Sequence, residues 1–207
     1  MPRSLALAAA LAAVLAFTPA AARAADLPID TVLVRHATPA GLRAALVAWA
    51  DERSATDPEA SGEALYWAGE SWFRSDVRDS AILVWERAWA RRRGGAEGDA
   101  LIEARLARRA SDDLERARTL ILARIEQAKV VSEVDLAYAY GRLAWWHVLA
   151  GHPDSAAVLF ARHERRLLVP DYPMEWTWRW RIARAEAAND NRMEALQRLV
   201  PIAARSN

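Results

Sequence analysis

The sequence predicts an all-α fold in which antiparallel helix pairs stack one upon the next. Three observations lead there. Between chain breaks, apolar residues recur at i, i+3, i+4 and i+7, the period of one helix face. The eight glycines and nine prolines fall mostly at the breaks. Only residues 29–35 read as a strand, and a lone strand has nothing to pair with, so this segment is expected to be an extended lead-in.

The first residues read as an address, not as fold. Arg3 supplies a positive start, residues 5–17 are apolar and uncharged, and Pro19 ends that run. The run is shorter than the ~20 residues that span a bilayer. Ala22 and Ala24 place small residues where a signal peptidase reads, so residues 1–24 are expected to be a signal peptide cleaved after Ala24. The remainder divides into a lead-in with a capping helix (25–56), a helical repeat domain (57–203) and a short tail (204–207). That part carries 26 basic and 27 acidic residues, so no global field favours nucleic acid or anionic lipid. The absence of cysteine excludes a disulfide scaffold and an acylated-cysteine anchor. Lys129 is the sole lysine, which leaves cation chemistry to arginine and its planar, bidentate contacts.

The helices follow in order. Thr38-Pro39 pairs an N-cap with a first-turn proline and opens a helix through Leu42, Leu46 and Trp49. Asp57-Pro58 repeats the signal for a helix with Leu65, Ala68, Gly69 and Trp72 on one face. A turn at Ser75-Asp76 leads to a helix with Ala81, Val84, Trp85 and Ala88 inward. Arg91, Arg92 and Arg93 close it as a solvated last turn, and Gly94-Gly95 breaks the chain. Further helices are expected over 99–109, 112–129, 134–149, 153–167, 174–188 and 191–200. Ser132 with Asp135 resembles a capping box.

An internal period emerges from these elements. Gly69, Trp72, Ala81, Trp85 and Ala88 match a pattern of small, aromatic, small, large apolar and small residues. Ala144, His147, Ala156 and Phe160 match the same frame, with Gly151 at the turn, and Ala183, Glu186, Ala195 and Leu199 match it more loosely. A unit between them sets Arg105 in a small-residue slot, with Ala117 and Ile121 after it. The anchors Gly69, Arg105, Ala144 and Ala183 are 36, 39 and 39 residues apart. This pattern resembles the tetratricopeptide (TPR) repeat, a helix–turn–helix unit of about 34 residues. The resemblance covers residues 57–200 and implies a short right-handed TPR-like solenoid. Small residues would let the paired helices cross closely, and stacking would supply the core that no pair can bury alone.

The resemblance also implies a role and a surface. TPR-like arrays are binding scaffolds, which implies a protein or peptide partner, no enzymatic activity and no cofactor. First helices of the pairs line a concave groove in that family. Carried over position by position, the groove takes Glu63, Tyr66, Glu70, Phe73 and Arg74, then Asp99, Ile102, Leu106 and Arg109. Tyr138, Trp145, Val148, Trp180 and Arg184 complete it. Arginine interleaved with aromatics suits a binding hot spot, with guanidiniums to clamp carboxylates. Trp176, Trp178 and Trp180 are spaced by two, so a helix cannot turn all three inward. Residues 174–180 could join copies of the chain end to end.

Two other readings rank lower. Residues 32–37, with Arg35-His36, resemble the strand-then-Arg-His motif of the histidine phosphatases, and Arg116 and His152 echo that family's later motifs. That fold is α/β, however, and no strand-like run follows Arg35. A glycan-binding groove would need amides beside its aromatics, and Gln127, Asn189, Asn191 and Gln197 lie off the groove positions. The four histidines show no HxxxH or HExxH spacing, so no metal site is expected.

Overall fold

The computed structural model describes residues 40–170 and 174–205. The signal-peptide segment, the strand-like segment and the Arg35-His36 motif lie outside these residues. Among the described residues there are nine helices and no strand: α1 (Ala40–Arg53), α2 (Pro58–Arg74), α3 (Arg78–Arg92), α4 (Gly95–Arg108), α5 (Ser111–Ala128), α6 (Glu133–Leu149), α7 (Pro153–Leu167), α8 (Glu175–Ala188) and α9 (Arg192–Arg205). Each helix packs on its sequence neighbour, and α6 also touches α8. The pairs are therefore α2/α3, α4/α5, α6/α7 and α8/α9, with α1 capping the first. Contacts run almost entirely between neighbours, the signature of a quasi-one-dimensional stack.

Local chemistry sets most boundaries. The Asp57 carboxylate accepts from the Ala60 amide at 3.0 Å and starts α2 at its proline. The Ser132 hydroxyl accepts from the Asp135 amide at 3.0 Å and donates to the Asp135 carboxylate at 2.8 Å, starting α6. Both caps satisfy amides that the helix leaves without partners. The α6–α7 turn passes through Gly151 at φ 82, a left-handed conformation natural to glycine. Asp76 and Asp190 take the same conformation at the α2–α3 and α8–α9 turns, as short polar side chains allow.

The expected break at Gly94-Gly95 holds differently. Arg93 is the left-handed residue, with φ 55, and Gly95 already belongs to α4. Helix α4 thus begins four residues before the expected Asp99. The reason is tertiary: a Cβ on Gly98 would lie 2.6 Å from the Trp89 ring, so this first turn can lie against α3 only with glycine at position 98. The arginine run is likewise more than a solvated turn. Arg91 donates to the Ala50 carbonyl at 3.2 Å, the Ser61 hydroxyl at 2.7 Å and the Asp51 carboxylate at 2.7 Å, tying α3 to α1 and α2. Arg92 reaches Glu59 at 2.8 Å and Glu97 at 3.3 Å.

The repeat slots are core. Ala81, Ala88, Ala117, Ala144, Ala156 and Ala183 are buried, as are Trp85, Ile121 and Phe160. Gly69 shows why the slots must be small: a Cβ there would collide with the Trp85 indole, whose Nε1 donates to the Tyr66 carbonyl at 3.1 Å. Arg105, the anomaly of the second unit, is 3% exposed. It holds its slot by turning its guanidinium onto Asp113 at the start of α5 and Glu86 on α3. Burying a cation is costly unless carboxylates meet it, and here two do. The unit keeps its helix crossing with an ion triad where the others use a small residue.

Candidate functional site

The first helices of the four pairs are α2, α4, α6 and α8, and a chain of side-chain contacts links three of them directly. On α4, Glu103 faces two arginines from different helices. Arg142 of α6 donates to its Oε1 at 3.0 Å, and Arg181 of α8 grips both oxygens, at 3.2 and 2.5 Å. One turn earlier, Asp99 pairs with Arg142 at 3.1 Å and with Arg124 of α5 at 3.2 Å. Glu103, Arg142 and Arg181 are each 39 residues apart, two positions before their repeat anchors, and Trp67 holds that register in the first unit. The stacking therefore aligns identical repeat positions into a row. Burial raises the Glu103 carboxyl pKa, but the Arg181 and Arg142 guanidiniums outweigh it and hold the group below the usual carboxylate range.

Aromatic rings surround this row. The Arg181 guanidinium lies 4.8 Å from the Trp178 ring and 5.6 Å from Trp145, within cation–π range. Tyr138 stacks on Trp178 at 5.8 Å, and Trp145 meets Trp180 at 5.2 Å. Arg184 lies over the Trp180 ring at 5.6 Å. At the α2 end, Tyr66 is half-buried, and its hydroxyl pKa is pushed up to about 12 by burial and by the nearby charges of Glu70, Glu97 and Asp99. It stays protonated, a hydrogen-bond donor among carboxylates.

The expected groove residues fall into three groups. Tyr66, Glu70 and Tyr138 are partly exposed, and Trp180 and Arg184 are exposed, Trp180 at 40%. Phe73 and Arg74 are exposed at the end of α2, where Arg74 pairs with Glu70 at 3.5 Å, and Arg109 is exposed as the left-handed cap of α4. Trp145, Ile102 and Leu106 are buried, Trp145 at 5% exposure. Trp145 is therefore a floor beneath Trp180, not a contact surface, because its ring fills the wedge between α6 and α8. The triplet resolves as spacing demands: Trp178 is fully buried and Trp180 open. Of the segment expected to join copies, Glu175 and Trp178 are inside.

Glu103, Arg142 and Arg181 were missed from the sequence. Their shared register was the available signal, but a row of unlike charges acquires meaning only once the helices are neighbours. The pieces of the phosphatase reading that can be placed do not suggest a site. Arg116 is exposed and pairs with Glu86 at 3.7 Å, and His152 stands 6.1 Å from His147. Among the described residues no group of three ligating side chains could hold a metal ion. Two amides of the glycan reading are occupied elsewhere: Gln127 donates to the Arg93 carbonyl and Asn189 to the Pro153 carbonyl.

Two solved structures share this architecture. Both are TPR-like repeats of a kinesin light chain from Podosopora anserina, one of them a single-substitution variant. The variant aligns with a TM-score of 0.58 over 84% of this chain and 91% of its own, and the other with 0.56 over 85% and 94%. Each is 15% identical in sequence. The chain has a TPR-like repeat fold. No family model and no curated protein matches the sequence, so the likeness is one of architecture. Within this fold the ion pairs join α4, α6 and α8. No helix among the described residues is long and apolar enough to cross a membrane.

Proposed function

We propose that the chain is an exported, non-enzymatic scaffold that holds a protein or peptide partner of the cell envelope against the face built by α2, α4, α6 and α8. The observation that carries this reading is the pre-organised row of Glu103, Arg142 and Arg181 beneath the open Trp180 and Arg184. Ion pairing fixes the row's side chains in place, so little side-chain freedom remains to be lost on binding. Trp and Arg are the residue types enriched where binding energy concentrates. Export rests on the sequence of residues 1–24.

Capture from an envelope fraction tests the reading. Trp180→Ala with Arg184→Ala should lose a protein retained by the wild type while the helical circular dichroism stays unchanged, since both side chains are exposed. Retention unaffected by this pair sinks the groove assignment. N-terminal sequencing of the chain recovered from outside the cytoplasm should begin at Ala25. Recovery of the chain only from the cytoplasm, starting at residue 1 or 2, would remove the export half of the proposal.

A further inference from the structure

The groove is electrically polarised, and its polarity names the chemistry of its occupant. At the α2 end, four carboxylates (Glu59, Glu63, Glu70 and Glu97) meet two guanidiniums, Arg74 and Arg92. Glu59, Glu63, Tyr66 and Glu70 form one stripe of α2 at helical spacing. Arg92 is shared among three of the acids, at 2.8 Å from Glu59, 3.3 Å from Glu97 and 3.9 Å from Glu63. Glu97 is fully buried, and neither of its oxygens receives a hydrogen bond. Toward α8 the balance reverses. Asp99 and Glu103 of α4 pair with Arg124, Arg142 and Arg181, Arg184 adds a further cation, and Glu175 and Glu186 of α8 are matched by Arg179 and Arg198. Arg184 has no carboxylate partner among the described residues, and rests only on the Trp180 ring.

Building on the groove reading above, we infer that the occupant is an extended, dipolar peptide segment with basic side chains over α2 and a carboxylate over α8. An aromatic or apolar residue lies between them, against Tyr66, Tyr138 and Trp180. Neighbouring helices lie roughly 8–10 Å apart, so the three steps from α2 to α8 span up to ~30 Å, or about nine residues of extended chain. Complementary potential of this kind selects partners and sets register more than it adds raw affinity. A uniformly acidic segment is repelled at α2, and a uniformly basic one at α8.

The test uses synthetic fluorescein-labelled nonapeptides and the purified protein in an anisotropy titration. One peptide carries two arginines at one end, a central tryptophan and two glutamates at the other; a second has the same composition with its charges interspersed. The dipolar peptide should bind about tenfold more tightly, with a preference that fades at high salt. Glu63→Gln with Glu70→Gln should cost about tenfold, as expected for two partly exposed charge contacts. Reversal by Glu63→Arg with Glu70→Arg should instead favour a peptide with glutamates at both ends, a gain that misfolding cannot mimic. Equal binding of the two peptides, both weakened by Trp180→Ala, overturns the charge assignment and leaves the groove standing. Binding indifferent to Trp180→Ala overturns both, and no binding of the dipolar peptide up to about 1 mM overturns the present inference.

Discussion

At the second helix crossing, Arg105 stands where the other units carry glycine or alanine, and two carboxylates meet its guanidinium below the surface. Removing one of them strands a buried cation, so Asp113→Ala should cost about 3 kcal/mol in urea denaturation. Replacing the pair together, Arg105→Met with Asp113→Leu, should cost much less, because the desolvation penalty leaves with the charges. Gly69 presents the opposite case. Alanine is favoured over glycine in a helix by ~1 kcal/mol, yet the added methyl meets the Trp85 indole, and overpacking costs ~1–3 kcal/mol. Gly69→Ala should therefore be net destabilising by up to about 2 kcal/mol, and a rise in the urea midpoint would refute the packing account. Acid should act in two windows. Burial holds His147 and His163 below the usual histidine range, so folding favours their neutral forms and stability falls as the pH drops below about 6.5. The depressed Glu103 carboxyl contributes stability that is present above about pH 4.3 and lost as the pH falls through its lower folded value. Glu103→Gln should flatten the second window and leave the first intact. Gly69 and the alanine slots were legible from residue type and spacing alone. The solution at Arg105 was not, because Glu86 and Asp113 converge on it only after three helices have packed.

Among the elements, those with local start signals were the most legible. Asp57 and Ser132 cap their helices within three residues of sequence, and their bonds are made there. Ser132→Ala should cost about 1 kcal/mol in thermal or urea unfolding. Ser111→Ala, at the start of α5 where Ala110 offers no side-chain cap, should change stability by less than about 0.5 kcal/mol. Equal effects would mean that α6 does not depend on its cap. Helix α4 was misplaced at its start because its first turn carries no such signal. Gly94 is its cap without a side chain, and what holds the turn is the approach of Trp89 and Arg124 from other helices. The candidate site divides in the same way. Repeat register puts Tyr66, Tyr138, Trp180 and Arg184 forward, and each keeps some exposure. Trp145 was placed on the right helix face but at the wrong depth, because register gives direction and not the thickness of what packs above.

For the whole molecule, the core is a series of linked clusters and not a single centre. The first joins α1, α2 and α3 through Ala50, Leu65, Val84 and Ala88. The second joins α3 to α4 through Ile82, Trp85, Trp89 and Leu101. The third, and largest, runs from Ile102 and Leu106 on α4 through α5, α6 and α7 to Trp178 and Ile182 on α8. Trp72 packs against the first two clusters and Leu120 against the last two. In such a stack stability is approximately a sum of unit and interface terms, so parts can open separately. Amides of α5–α7, inside the largest cluster, should exchange only by global unfolding, while those of α1 should exchange through a smaller opening. Leu120 is the apolar link between the halves. Leu120→Ala should cost up to about 2 kcal/mol, less than a fully buried leucine would, and also widen the gap in protection between α1–α3 and α5–α8, because it weakens an interface more than either unit. Native-state hydrogen exchange on the wild type and this variant reads both effects. Uniform protection in the two proteins would show that the helices unfold as one unit, and that the partition of the core into clusters has no energetic counterpart.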